Sequence, residues 1–187
     1  MVEQLTQEQE DNKEKKEVSA FVKDLVHRTN RARKESPRAY VIVMTAYVDD
    51  YLTDALKANL VVSRQDDDEL FSSWRPVYNF GPRIDLAYRL GLISVDMAWV
   101  LHQIRKLRDD CAHKADEVDL ESSPFKERIL GMSQRLLGIT NKPTDDSSDK
   151  FERMVAVLLI VLESLGRPNP SDVKQSRVAE WIFKEDK

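Results

Sequence analysis

Apolar side chains recur along the chain at three- and four-residue intervals and show no sustained alternation, a pattern that predicts helices and no strands. Val18, Phe21, Val22, Leu25 and Val26 form a first stripe, with Lys23, Arg28 and Arg31 outside it, in a helix expected to end near Glu35. Ser36-Pro37 is a start signal, Ser as N-cap and Pro at the first helical position, for a long helix from about Arg38 to Leu60. Tyr40, Met44, Tyr47, Tyr51 and Leu52 are expected to face its neighbours. Ser63 to Asp68 reads as a loop, and a short amphipathic piece with Leu70, Phe71 and Trp74 stops at Pro76. Gly81-Pro82 opens a helix from Arg83 to Leu90, and Gly91 stands where a left-handed C-terminal residue is needed. Ser94 caps the next helix, Val95 to His113, whose stripe is Met97, Val100, Leu101, Ile104, Leu107 and Cys111. Three more are expected: Pro124 to Leu137, Asp149 to Leu165 closed by Gly166, and Asp172 to Phe183 anchored by Trp181.

This pattern predicts an all-α fold, a single helical bundle of about seven helices over residues 17–187. A flexible segment, residues 1–16, precedes it, dense in Gln, Glu, Lys and Asp with little to bury. A chain of 187 residues with 41% hydrophobic content suits one domain with a continuous core. The net charge of −4 argues against coating nucleic acid or an anionic membrane through an overall field. The single cysteine, Cys111, excludes an internal disulfide and Cys-rich zinc motifs, and suits a reducing compartment. With no leader pattern at the start, the expected location is cytoplasmic. The longest apolar run, Met154 to Leu162, is about half of what crosses a bilayer, so it reads as the most buried helix of the core. Asp66-Asp67-Asp68-Glu69 lacks the alternating ligands and turn glycine of a calcium loop, so no metal and no cofactor is expected.

On a wheel of about 100° per residue, Arg108 falls inside the apolar stripe of the Val95 helix, and a guanidinium there needs a partner. Asp85, Asp49 or Asp50 could supply it as a structural ion pair. Asp109 and His113 are four apart on the same helix, close enough for the carboxylate to orient the imidazole. Arg108 and His113, five apart, converge only if the last turn unwinds or a second subunit supplies one of them. Cys111 on the stripe reads as a small core side chain.

Two blocks carry a resemblance. Arg83-Ile84-Asp85-Leu86-Ala87-Tyr88-Arg89-Leu90-Gly91-Leu92-Ile93 and Ile104-Arg105-Lys106-Leu107-Arg108-Asp109-Asp110-Cys111-Ala112-His113 resemble the mannitol operon repressor (MtlR-like) family. More loosely, the resemblance runs from about Ser36 to Gly131 and includes Tyr47-Val48-Asp49-Asp50 in the long helix. It implies an all-helical, HEPN-like domain that regulates transcription through protein partners; Arg83 stands with Asp85, Asp49 and Asp50 among the structural ion-pair candidates. The second block is also similar to the HEPN signature, matched by Arg108, Asp109 and His113. In catalytic HEPN proteins the Arg and His of two subunits cut RNA without metal, so that resemblance implies a homodimer and, as an alternative function, a ribonuclease of the toxin or phage-defence class. Arg105, Lys106 and Lys114 are offset by Asp110, Asp116 and Glu117, which weighs against an RNA surface. The leading expectation is a non-catalytic regulatory protein with protein partners, no membrane association and no direct base readout, since no basic recognition helix follows a short Gly-containing turn. A third reading is a toxin-neutralising partner of another helical protein, which exposure of Trp74 or Trp181 would favour.

Overall fold

The computed structural model describes residues 23–24, 27–61, 63, 68–113, 118–137 and 146–166. Among them every regular element is helical: α1 (Pro37–Asn59), α2 (Phe80–Arg89), α3 (Val95–His113), α4 (Phe125–Leu137) and α5 (Ser147–Gly166), with a 3-10 turn at Glu69–Phe71. Residues 27–33 are helical as well. The expected class is therefore the observed one, with a slightly different count of elements. Residues 1–16, the expected helix Asp172–Phe183 with Trp181, Lys114, and the Asp66-Asp67 pair lie outside the described residues.

Local chemistry sets the helix ends. Ser36 Oγ accepts the Ala39 N–H at 3.1 Å, so α1 starts at Pro37, where the missing N–H costs nothing. Ser94 Oγ does the same for Met97 at 3.1 Å and starts α3. Gly91, at φ 74°, ends α2: its N–H donates to Tyr88 and that of Leu92 to Ala87, both at 3.0 Å, the paired bonds of a Schellman cap. The start of α2 differs from expectation. It begins at Phe80 after Asn79, so Pro82 sits inside the first turn rather than before it. Likewise α5 begins at Ser147, because Asp146 Oδ1 accepts the Asp149 N–H at 2.7 Å and caps the helix two residues earlier than expected.

The described residues group into two compact units, one within residues 1–46 and 106–156 and the other within residues 47–105 and 157–187. In the first, Tyr40, Leu107, Ile129, Met132, Phe151 and Met154 are fully buried. The Tyr40 and Phe151 rings meet edge to face, centroids 5.7 Å apart. Arg33 ties the helical residues 27–33 to α5, bonding Asp149 and donating to Glu152 at 2.8 Å. Arg128 joins α4 to Asp110 of α3 at 2.6 Å. Glu121 accepts the Ser147 N–H at the start of α5, and that bond draws its carboxyl below the ordinary range.

In the second unit, Leu52, Leu56, Ile84, Leu101, Ile104 and Leu162 make the core. Asn59 Nδ2 donates to the carbonyls of Ala55 and Leu165, both at 2.8 Å, so one side chain serves the C-terminal ends of α1 and α5. The Met154–Leu162 run, read from sequence as the most buried helix of the core, supplies core side chains from one side and leaves the other outward. Leu158, Leu159 and Leu162 are buried, whereas Val157, Ile160 and Val161 are exposed. No helix among the described residues is long and apolar enough to cross a membrane.

Candidate docking site

The sequence directs attention first to the end of α3. Arg108 is half-exposed, and its Nη2 lies 3.1 Å from Asp109 Oδ1, while its Nε is buried without a hydrogen bond. The charge is therefore met by the adjacent residue, in place of the Asp85, Asp49 or Asp50 considered from sequence. Asp85 pairs instead with His102 Nε2 at 3.0 Å, and Asp49 with Arg83 at 2.8 Å. Asp50 is exposed, and its carboxyl is pushed above the ordinary range by partial burial, then by Asp49 and Asp54. His113 stands exposed in the last turn of α3, and the Asp109 carboxylate expected to orient it is engaged by Arg108. Cys111 is buried. Asp68 accepts the Leu70 N–H and Glu69 pairs with Arg75 at 2.9 Å, so the described part of the acidic run caps and braces its own loop. Among the described residues no group of three or more His, Cys, Asp or Glu side chains could hold a metal ion.

A different feature organises the second unit. Arg83, in the first turns of α2, uses its whole guanidinium. Nε donates to the Val77 carbonyl at 3.0 Å, Nη2 to the Tyr78 carbonyl at 2.7 Å and Nη1 to Asp49 of α1 at 2.8 Å. Its plane also lies 5.9 Å from the Phe71 ring centroid, and Lys57 approaches the same ring at 5.5 Å. With the side chain only 13% exposed, Arg83 fastens the connection between Glu69 and Asn79 to two helices at once.

That connection is built of short turns. Ser72 N–H donates to Glu69, Arg75 to Ser72 and Tyr78 to Arg75, at 3.1–3.2 Å. Phe71 and Val77 turn inward and are buried. Trp74, grouped by the sequence pattern with Leu70 and Phe71 on one amphipathic face, does the opposite. It is 99% exposed, at φ 69° in the middle of the Ser72–Arg75 turn, where a positive φ favours glycine. Tyr78 and Leu70 are part-exposed beside it in sequence. A large aromatic is thus displayed in a strained backbone state by a loop that is fixed from beneath. The exposure of Trp74 is the feature that the reading as a partner of another helical protein asks for, whereas the turns differ from the amphipathic piece expected here, because the Ser-Ser and Pro content of the segment makes turns.

Among solved structures, the fold is similar to that of a chain in the X-ray structure of the MtlR-HPr complex from Escherichia coli. The TM-score is 0.55 and the identity 15%, over 79% of this chain and 96% of that one. The likeness is one of fold, the MtlR-like fold that the sequence resemblance implied. No family model matches the sequence, and no curated protein matches it.

Proposed function

We propose that the chain is a non-catalytic interaction protein that docks a protein partner through the Glu69–Asn79 loop, with Trp74 as the anchor. The observation that carries this reading is the complete exposure of Trp74 at positive φ on a loop fastened by Arg83. A Trp held this way contributes nothing to the core and costs backbone strain of roughly 1–3 kcal/mol, so its use is at a surface it can enter. Trp and Tyr anchors on pre-formed loops are the residues that dominate protein interfaces, because little side-chain entropy remains to be lost on binding. The likeness of fold to a chain of the MtlR-HPr complex supports a protein partner, and HPr is the first to test. The regulatory output on transcription implied by the sequence resemblance would then follow from the partner, without base readout.

The test is a calorimetric titration of the full chain and of Trp74→Ala with HPr. The reading expects binding by the wild type and a loss of about 2 kcal/mol or more, some thirtyfold in Kd, in the variant. Equal affinity of the two proteins would remove the loop from the interface, and absence of binding by both would remove HPr as the partner. If the same purified chain cleaves RNA in EDTA and His113→Ala does not, the ribonuclease reading replaces this one.

A further inference from the structure

Arg83 draws its oxygen partners from two distances along the chain. The Val77 and Tyr78 carbonyls lie six and five residues before it, so those two bonds close only a short ring of chain between the loop and the start of α2. Asp49, the partner of Nη1 at 2.8 Å, stands 34 residues earlier, in the middle of α1. It is therefore the contact that relates this ring to a separate helix.

A guanidinium is planar, and its donors keep fixed directions relative to one another. Fixing Nη1 on Asp49 consequently fixes where Nε and Nη2 point, and with them the Val77 and Tyr78 peptides. The Tyr78 N–H closes one turn on Arg75, and the Arg75 N–H closes the turn on Ser72 that holds Trp74. A left-handed aromatic persists only where its surroundings over-determine it, and this succession of bonds leads from α1 to that turn. Lys57 of α1 also reaches the Phe71 ring, so without Asp49 the loop stays attached to α1 but loses its orientation.

We propose that Asp49 is a positioning residue for the docking loop: acting through Arg83, and not on the partner, it sets how often the loop stands in the state that displays Trp74. This rests on the reading of Trp74 as the anchor.

Hydrogen exchange of the full chain, read without any partner, is the first arm of the test, with Asp49→Ala and Asp49→Asn beside the wild type. In Asp49→Ala the Arg75 and Tyr78 amides are expected to exchange about tenfold faster, while the amides of α3 keep their rates. Asparagine still offers Nη1 an oxygen, so Asp49→Asn is expected to recover most of the protection. The second arm is titration with HPr. A competent fraction about tenfold smaller raises Kd about tenfold, so Asp49→Ala is expected to bind that much more weakly. In the Trp74→Ala background the same change is expected to cost less than about twofold. Unchanged loop exchange in Asp49→Ala, or a loss of protection spread equally over α3, would overturn the positioning role whatever HPr does. So would a weakening that persists undiminished in the Trp74→Ala background. Loop protection lost as expected, in a protein whose wild type binds no HPr, would bear out the hold of Asp49 on the loop and strike HPr from the docking reading.

Discussion

Two arginines, Arg83 and Arg108, sit in the two blocks that carry the family resemblance, and the structure treats them differently. Arg83 is 13% exposed, donates to two carbonyls and a carboxylate, and lies over an aromatic ring. Arg108 is 42% exposed and pairs with its neighbour in sequence. A guanidinium's five donors build structure when the receiving oxygens belong to different elements, as the Asp49, Val77 and Tyr78 oxygens do. A bond to the next residue on the same helix joins nothing that the backbone has not already joined.

The comparison is most exposed to Arg83→Ala, which strands Asp49 and two carbonyls in a part-buried setting. A loss of about 3 kcal/mol in urea unfolding is expected, with Arg83→Lys recovering less than half, because a single compact ammonium nitrogen cannot span three acceptors that three guanidinium nitrogens serve. Trp74→Gly tests the other end of the same assembly. Glycine relieves the positive φ and nothing is left unburied, so stability is expected to stay level or rise by up to about 1 kcal/mol while partner binding falls. A substantial loss of stability would show that the indole packs and would remove it as a docking anchor. Arg108→Ala is expected to cost under about 1 kcal/mol, the range of an exposed ion pair. A cost as large as that of Arg83→Ala would erase the distinction between the two.

The smallest effect concerns Asp50. Its folded pKa is raised, so the folded state holds the proton more tightly than the unfolded one. The ionised group therefore lowers stability, and the stability present at low pH is lost as pH rises through the folded pKa. Asp50→Asn is expected to raise the urea midpoint slightly at pH 7 and to leave it unchanged at a pH below the ordinary Asp value of about 3.9.

Much of the fold was legible because its signals are local. Ser36-Pro37, Ser94 and Gly91 act through bonds to residues three to five positions away, so the sequence around them suffices to place α1, α3 and the end of α2. Where competing signals lay close together the boundary moved: Gly81-Pro82 masked the start at Asn79, and Asp149 masked the cap at Asp146. The candidate site was less legible. Arg83 entered only as an ion-pair candidate, and its hold on the Val77 and Tyr78 carbonyls depends on how the intervening turn folds back. The positive φ of Trp74 is a single backbone angle, which composition does not encode. The outward side of α5 was not legible either, since a continuous apolar run does not say which of its positions face the core.

The positive φ of Trp74 also has an evolutionary consequence. Under selection for folding alone, this position would drift to Gly or Asn, the residues that enter the left-handed region at least cost. Any lineage that keeps an aromatic there carries a small, continuous load on stability, and the frequency of that retention measures how much the exposed ring is worth outside the fold.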